Sequence, residues 1–306
     1  MRKLIRNRVL GAALLAFALV ASACGDDGPG GGVPEGPTIK VSSFNFGESE
    51  ILAEIYAQAL EANAYPVGRQ LNLGSREIVK PALESGEIDL VPEYVGTLLT
   101  FLGGTASSDS EATHADLVDA FGALGIAVLG FAPAQDKNGL VVTQETADDL
   151  GVTKTSDLVQ YNGQLVFGAP PECPEREFCL IGLQDVYGLD FAEFKPLDVG
   201  GPLTVAALEG GEIDVALLFT TDGVIAAKGF VLLEDDRGLQ PAENIVPVVR
   251  QEIVDAYGDD LVVLLDSISA KITTEELTEL NRRAGIDQED PADIAGDWLT
   301  DNGFIS

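Results

Sequence analysis

The chain has 306 residues, 46% of them hydrophobic, and a formal net charge of −32. That length and apolar content suffice for one or two well-buried domains, and the acidity makes nucleic acid and anionic lipid headgroups poor partners. The acidic residues are spread along the chain rather than gathered in one block, which is the pattern of a solvated surface.

Residues 1–23 read as a signal segment. Arg2, Lys3, Arg6 and Arg8 surround and precede the apolar run "VLGAALLAFALV", which is too short to span a bilayer and suits export. The run closes on "ASAC", small residues leading into Cys24, much like a bacterial lipobox, although Ala21 stands where Leu is more usual. The alternative is ordinary cleavage after Ala23. Residues 24–37, "CGDDGPGGGVPEGP", form a Gly/Pro tether that cannot build a core. The expectation is an exported protein held at the outer face of the cell membrane by a lipidated Cys24, with no other membrane contact.

From Thr38 onward, strands and helices alternate. "TIKVSSF" reads as a strand and "ESEILAEIYAQALEAN" as an amphipathic helix. "YPVGRQLNL" is the next strand; Ser75 then opens a helix that Gly86 ends, and "IDLVP" is the third strand. A helix around "HADLVDAFGAL" precedes the strand "IAVLGFAP". The pattern restarts with "NGLVVT", helices near Leu150 and Leu158, "QLVFG", a helix through "LIGLQDVYG", and "FKPLDVG". A helix to Glu209, the strands "IDVALLF", "FVLLED" and "IVPVVR", and a helical region to Asn302 complete the chain. Such alternation calls for α/β architecture with mostly parallel sheets covered on both faces.

One stretch is written twice: "ALESGEIDL" from Ala82 and "ALEGGEIDV" from Ala207. The spacing is far beyond that of a solenoid, whose repeats run about 20–50 residues. It points instead to two similar lobes: residues 38–136 plus 241–306 as a discontinuous lobe I, and 137–240 as an inserted lobe II, with crossing strands near Gln135 and Glu243. Ligands of open α/β sheets bind outside the carboxyl ends of the strands. There the two copies deliver Glu93, Tyr94 and Thr97, and Phe219, Thr220, Thr221 and Asp222, so Tyr94 and Phe219 would face each other across one cleft. Cys173 and Cys179 flank "PEREF"; in an exported chain their expected use is a small disulfide loop. Zinc is the rival, but the single histidine, His114, lies far away in sequence.

These segments carry a resemblance. "LNLGSREIVKPALESGEIDLVPEYVGT", "GGPLTVAALEGGEIDVALLFTTD" and "PAENIVPVVR" resemble the ProX/OpuAC type of substrate-binding protein, which serves ABC importers of glycine betaine, choline, carnitine and related osmoprotectants. The likeness implies a type II periplasmic-binding-protein fold, two α/β lobes joined by two crossover strands around a ligand cleft. It also implies a membrane permease as partner and a monomeric protein with no cofactor. Family members hold a quaternary ammonium among aromatic rings, because a methylated ammonium has no N–H to donate and ring faces attract its charge by about 0.5–2 kcal/mol each. Carried over by position, Tyr94 and Thr97 fall on the family's "EYTGT" segment, Asp136 on an acidic crossover position, Arg176 on the carboxylate-binding arginine, and Phe219 on the aromatic of the "TTD" strand end.

Three positions depart from the pattern. Phe44, in "SSFNF", stands where relatives often place lysine, while Asn138 and Glu243 stand where relatives often place tyrosine. Asn45, shortly before a helix start, offers a further polar contact. Phe44 removes a positive charge and Glu243, if it faces the cleft, adds a negative one, so both favour choline or another small cation over glycine betaine. An amino-acid-like ligand is the alternative within this class. An enzyme would need a nucleophile–base pair, a metal cluster or a phosphate loop, and the chain shows no Walker A and no G-x-S-x-G. A non-catalytic structural surface lipoprotein would not need duplicated cleft walls.

Overall fold

The computed structural model describes residues 36–305; the signal segment, Cys24 and the tether up to Glu35 lie outside the described residues. In chain order the strands are β1 (Ile39–Ser42), β2 (Val67–Gln70), β3 (Leu90–Tyr94), β4 (Ile126–Val128), β5 (Asn138–Val142), β6 (Val166–Ala169), β7 (Glu193–Pro196), β8 (Val215–Phe219), β9 (Val231–Leu232) and β10 (Ile245–Arg250). They make two five-stranded sheets, ordered β2-β1-β3-β10-β4 and β7-β6-β8-β5-β9. The two orders match strand for strand, so each lobe repeats one topology.

The duplicated sequence is the centre of each sheet. In both copies a glycine, Gly86 or Gly211, takes a positive φ of 75° or 66° after the helix, a conformation that costs side-chain-bearing residues but not glycine. Glu87 N–H and Glu212 N–H then return to the carbonyls of Ala82 and Ala207 at 2.9 and 2.8 Å. Asp89 accepts the Lys40 N–H at 2.9 Å, and Asp214 accepts the Val166 N–H at 2.8 Å. Each aspartate thereby pins its strand to the neighbouring one, β3 to β1 and β8 to β6. The isoleucine before each aspartate, Ile88 or Ile213, is buried.

The sheets are mixed rather than mostly parallel. β1, β2 and β3 run parallel, but β10 is antiparallel to both β3 and β4; β5 is likewise antiparallel to β8 and β9. The reason is topological, since β10 and β5 each enter their sheet from the other lobe and so run against it. The crossing segments meet at an antiparallel bridge between Gln135 and Asn244, and Asp136 N–H donates to the Glu243 carbonyl at 3.0 Å.

Helix α1 (Gly47–Ala62) buries Ile51, Leu52, Ile55 and Leu60 completely. At about 1.5–3 kcal/mol for each large aliphatic side chain, this helix anchors the larger hydrophobic core. Helix α2 (Arg76–Ser85) follows β2, and a short helix α3 (Val95–Phe101) leaves β3 directly. The periodic pattern did not announce α3, because no Ser, Thr, Asp or Asn precedes it; its cap comes from elsewhere in the chain. The strands "IAVLGFAP" and "FVLLED" shorten to β4 and β9, and "LIGLQDVYG" is a helical turn that widens into a π turn over Leu183–Tyr187. Among the described residues no helix is long and apolar enough to cross a membrane.

Candidate ligand-binding site

Between the lobes lies a cavity of about 350 Å³. Its walls are the carboxyl ends of β1, β3 and β8, the crossing segments, and the loop around Cys173 and Cys179. Those two cysteines form a disulfide. His114 instead places Nε2 2.7 Å from the Leu129 carbonyl oxygen, and among the described residues no cluster of three or more His, Cys, Asp or Glu could hold a metal.

Three rings from three segments meet in the cavity. Phe46 lies 5.3 Å from Phe219 and 6.2 Å from Tyr94 between ring centroids, so it joins the two walls that carry Tyr94 and Phe219. Phe44 stacks on Phe46 at 5.9 Å and 5°. Extended residues two apart share a face, and this period is the signal by which Phe46 could have been found beside Phe44. The β1 end is held in shape by Ser49 Oγ, which accepts the Phe44 N–H at 2.9 Å, and by Ser43 Oγ, which accepts the Asn72 N–H at 2.7 Å.

Beside the rings are two buried carboxylates. Asp136, on the cavity wall, accepts the Thr221 N–H at 3.2 Å and the Thr220 hydroxyl at 3.3 Å. Behind it, Glu48 accepts from Tyr94 Oη, Thr221 Oγ1 and Asn281 Nδ2, each at 2.6 Å. Thr221 belongs to the second lobe, whereas Glu48, Tyr94 and Asn281 belong to the first. Burial raises both carboxyls above their usual range, and the negative charge of Glu48 pushes Asp136 further up. Burial also lifts nearby Asp222 to about 6. Among the described residues, no lysine or arginine forms an ion pair with Glu48 or Asp136. No local pattern marks Glu48, whose partners come from three distant segments.

The opposite end holds two guanidinium groups. Arg76, buried, makes a two-point pair with Glu93 at 2.9 and 2.7 Å and lies 5.3 Å from the Phe44 ring centre. The positive charge that Phe44 lacks is therefore restored from α2. Arg176 reaches across the cleft to Glu77 at 2.6 Å and lies 5.1 Å from the Phe101 ring centre. It pairs with neither Glu175 nor Glu177. Burial and the like charge of Arg76 lower its affinity for its proton.

Two expected contacts are otherwise engaged. Glu243 lines the cavity, yet Oε2 accepts the N–H groups of Gly96 and Thr97 at 3.2 and 3.1 Å, and Oε1 accepts the Thr97 hydroxyl. This carboxylate caps α3, so it is not the free charge expected beside an ammonium, and the Thr97 hydroxyl is committed to it. Burial lifts Glu243 to about 7. Asn138 lines the cavity but donates its amide to the Phe178 carbonyl at 2.9 Å. Asn45 sits exposed on the cavity wall.

A model of the substrate-binding domain of ABC-type glycine betaine transport systems, OpuAC, matches residues 37–301. The chain belongs to the OpuAC family. A glycine-betaine-binding protein of Pseudomonas aeruginosa is 28% identical over 90% of this chain and 91% of its own length. An ergothioneine transport permease/ergothioneine binding protein of Helicobacter pylori, EgtU, is 29% identical over 94% of this chain and 51% of its own length. The crystal structure of a glycine betaine/carnitine/choline ABC transporter protein superposes with a TM-score of 0.70 at 26% identity, covering 88% of this chain and all of that one. OpuAC membership makes this chain a substrate-binding protein serving an ABC importer.

Proposed function

We propose that this OpuAC protein captures a small quaternary ammonium solute of the choline and glycine betaine class and delivers it to the permease of an ABC importer, without catalysis. The observation that carries this reading is the convergence of Phe46, Tyr94 and Phe219 beside Asp136, a buried carboxylate with no cationic partner. Rings and an uncompensated negative charge together suit a cation that has no N–H to donate. The name of the relative in Pseudomonas aeruginosa supports the ligand class, and that of the relative in Helicobacter pylori, which joins permease and binding protein, supports the partner. The "ASAC" pattern supports lipid anchoring of Cys24 at the outer face of the cell membrane, and the two sheets support the two-lobe division with residues 137–240 as the inserted lobe.

The test is calorimetric titration of the purified protein with tetramethylammonium, choline, glycine betaine and ammonium. The methylated ligands should saturate one site, while ammonium should not. Phe46→Ala should weaken the methylated ligands about 2- to 30-fold, the worth of one ring. Equal weak responses to all four would remove the quaternary ammonium reading. Anchoring is tested separately: Cys24→Ser should release the protein from the membrane fraction or leave its precursor uncleaved.

A further inference from the structure

The charges around the cavity do not balance, and the imbalance has a direction. Both guanidinium groups at its arginine end are already matched by carboxylates of the chain. Arg76 is held by both Glu93 oxygens in a buried pair. Arg176 is held by Glu77 from the opposite lobe, and Glu77 is itself positioned because its second oxygen accepts the Ser75 hydroxyl at 2.6 Å. The rest of that rim adds Glu172, Glu175 and Glu177. At the ring end, Asp136 and Glu48 receive hydrogen bonds only from neutral groups among the described residues.

We propose that Glu77 stands in for a ligand carboxylate at Arg176, so that the closed cleft selects small quaternary cations without a carboxylate over zwitterionic betaines. This rests on the quaternary ammonium reading above. A betaine can place its ammonium among the rings as well as choline can. Its carboxylate, however, would have to share Arg176 with Glu77 and lie beside Glu172 and Glu175 on the rim, and like charges gathered at one guanidinium oppose one another. A hydroxyl-bearing cation meets no such conflict. Glu77 thus combines two roles: it ties the lobes together, and it disfavours one ligand class by neutralising the positive charge that a carboxylate would seek.

Calorimetry with tetramethylammonium, choline and glycine betaine decides the matter, using the natural protein, Glu77→Gln, Glu77→Ala and the double variant Glu77→Gln/Arg176→Gln. The natural protein should bind choline at least about tenfold more tightly than glycine betaine, the scale of one hydrogen-bonded charge. Glu77→Gln and Glu77→Ala free the guanidinium, so betaine should gain about tenfold relative to choline, and the double variant should lose that gain. The proposal is overturned if the natural protein prefers betaine, or if both Glu77 variants shift choline and betaine by the same factor, as a simple latch would. Tetramethylammonium separates the two levels of inference. Tight binding of it without the Glu77 effect overturns this proposal and leaves the ring site standing; no saturable binding of any of the three overturns both.

Discussion

Thr221 of the second lobe donates its hydroxyl to Glu48 of the first at 2.6 Å. The same carboxylate also receives Tyr94 and Asn281, so a single side chain ties a strand end, a crossing segment's neighbour and a C-terminal helix together. Replacing it with alanine strands three donors in a buried site. Glu48→Ala should lower unfolding free energy by about 3 kcal/mol, while Glu48→Gln, which keeps an acceptor, should cost about 1 kcal/mol. Denaturant titration of both variants measures this, and equal small losses would mean that the donors find water.

The protein should respond to pH in two opposed ways. Glu243, lifted by burial from 4.5 to about 7, is more easily protonated folded than unfolded. Its contribution to stability is therefore full below about pH 4.5 and is lost as pH rises through about 7, up to about 3 kcal/mol. Asp136 is shifted the same way, but a bound cation needs it ionised, so ligand affinity should rise with pH while ligand-free stability falls. Thermal melts and titrations from pH 5 to pH 8 test both slopes, and Glu243→Gln should reduce the stability slope, leaving the part due to Glu48, Asp136 and Asp222.

Opening the disulfide should loosen the segment that presents Arg176. Cys173 and Cys179 close a short loop, for which chain entropy gives about 2 kcal/mol of stabilisation. Melting with and without a reducing agent should show that loss. Ligand binding should weaken in the reduced protein if the loop holds Arg176 against Glu77; an unchanged titration would show that Glu77 and Phe101 suffice to place it.

The duplicated aspartates should not be equivalent. Asp89 is buried and pairs with Arg250 at 3.1 Å, whereas Asp214 is half-buried and has no ion pair among the described residues. Asp89→Ala should cost about 2–3 kcal/mol, because it removes the acceptor of both the Lys40 N–H and the Arg250 guanidinium. Asp214→Ala, which removes one hydrogen bond to Val166, should cost about 1 kcal/mol. Chemical denaturation of the two variants compares them directly, and equal losses would mean that the Arg250 pair adds nothing.

The repeated "GEID" unit, its glycine turn and the strand after it were all legible in the chain, and so was the placing of Tyr94 and Phe219 at strand ends that line one cavity. These features depend on local causes: apolar period, a residue free to take positive φ, and an aspartate that reaches the adjacent strand. Phe46 was within reach of the same reasoning, two residues from Phe44 on an extended segment. What no local pattern contained was the pairing of charges. The cap of α3 is Glu243, 146 residues beyond Thr97, and Glu48 finds Asn281 at a separation of 233. Arg176 meets Glu77 only because the two lobes face each other. Sequence periodicity decides which faces are buried, since hydrophobic burial is additive and nondirectional. Which carboxylate remains unpaired beside a ligand depends on distances and directions between distant segments, and the fold alone supplies those.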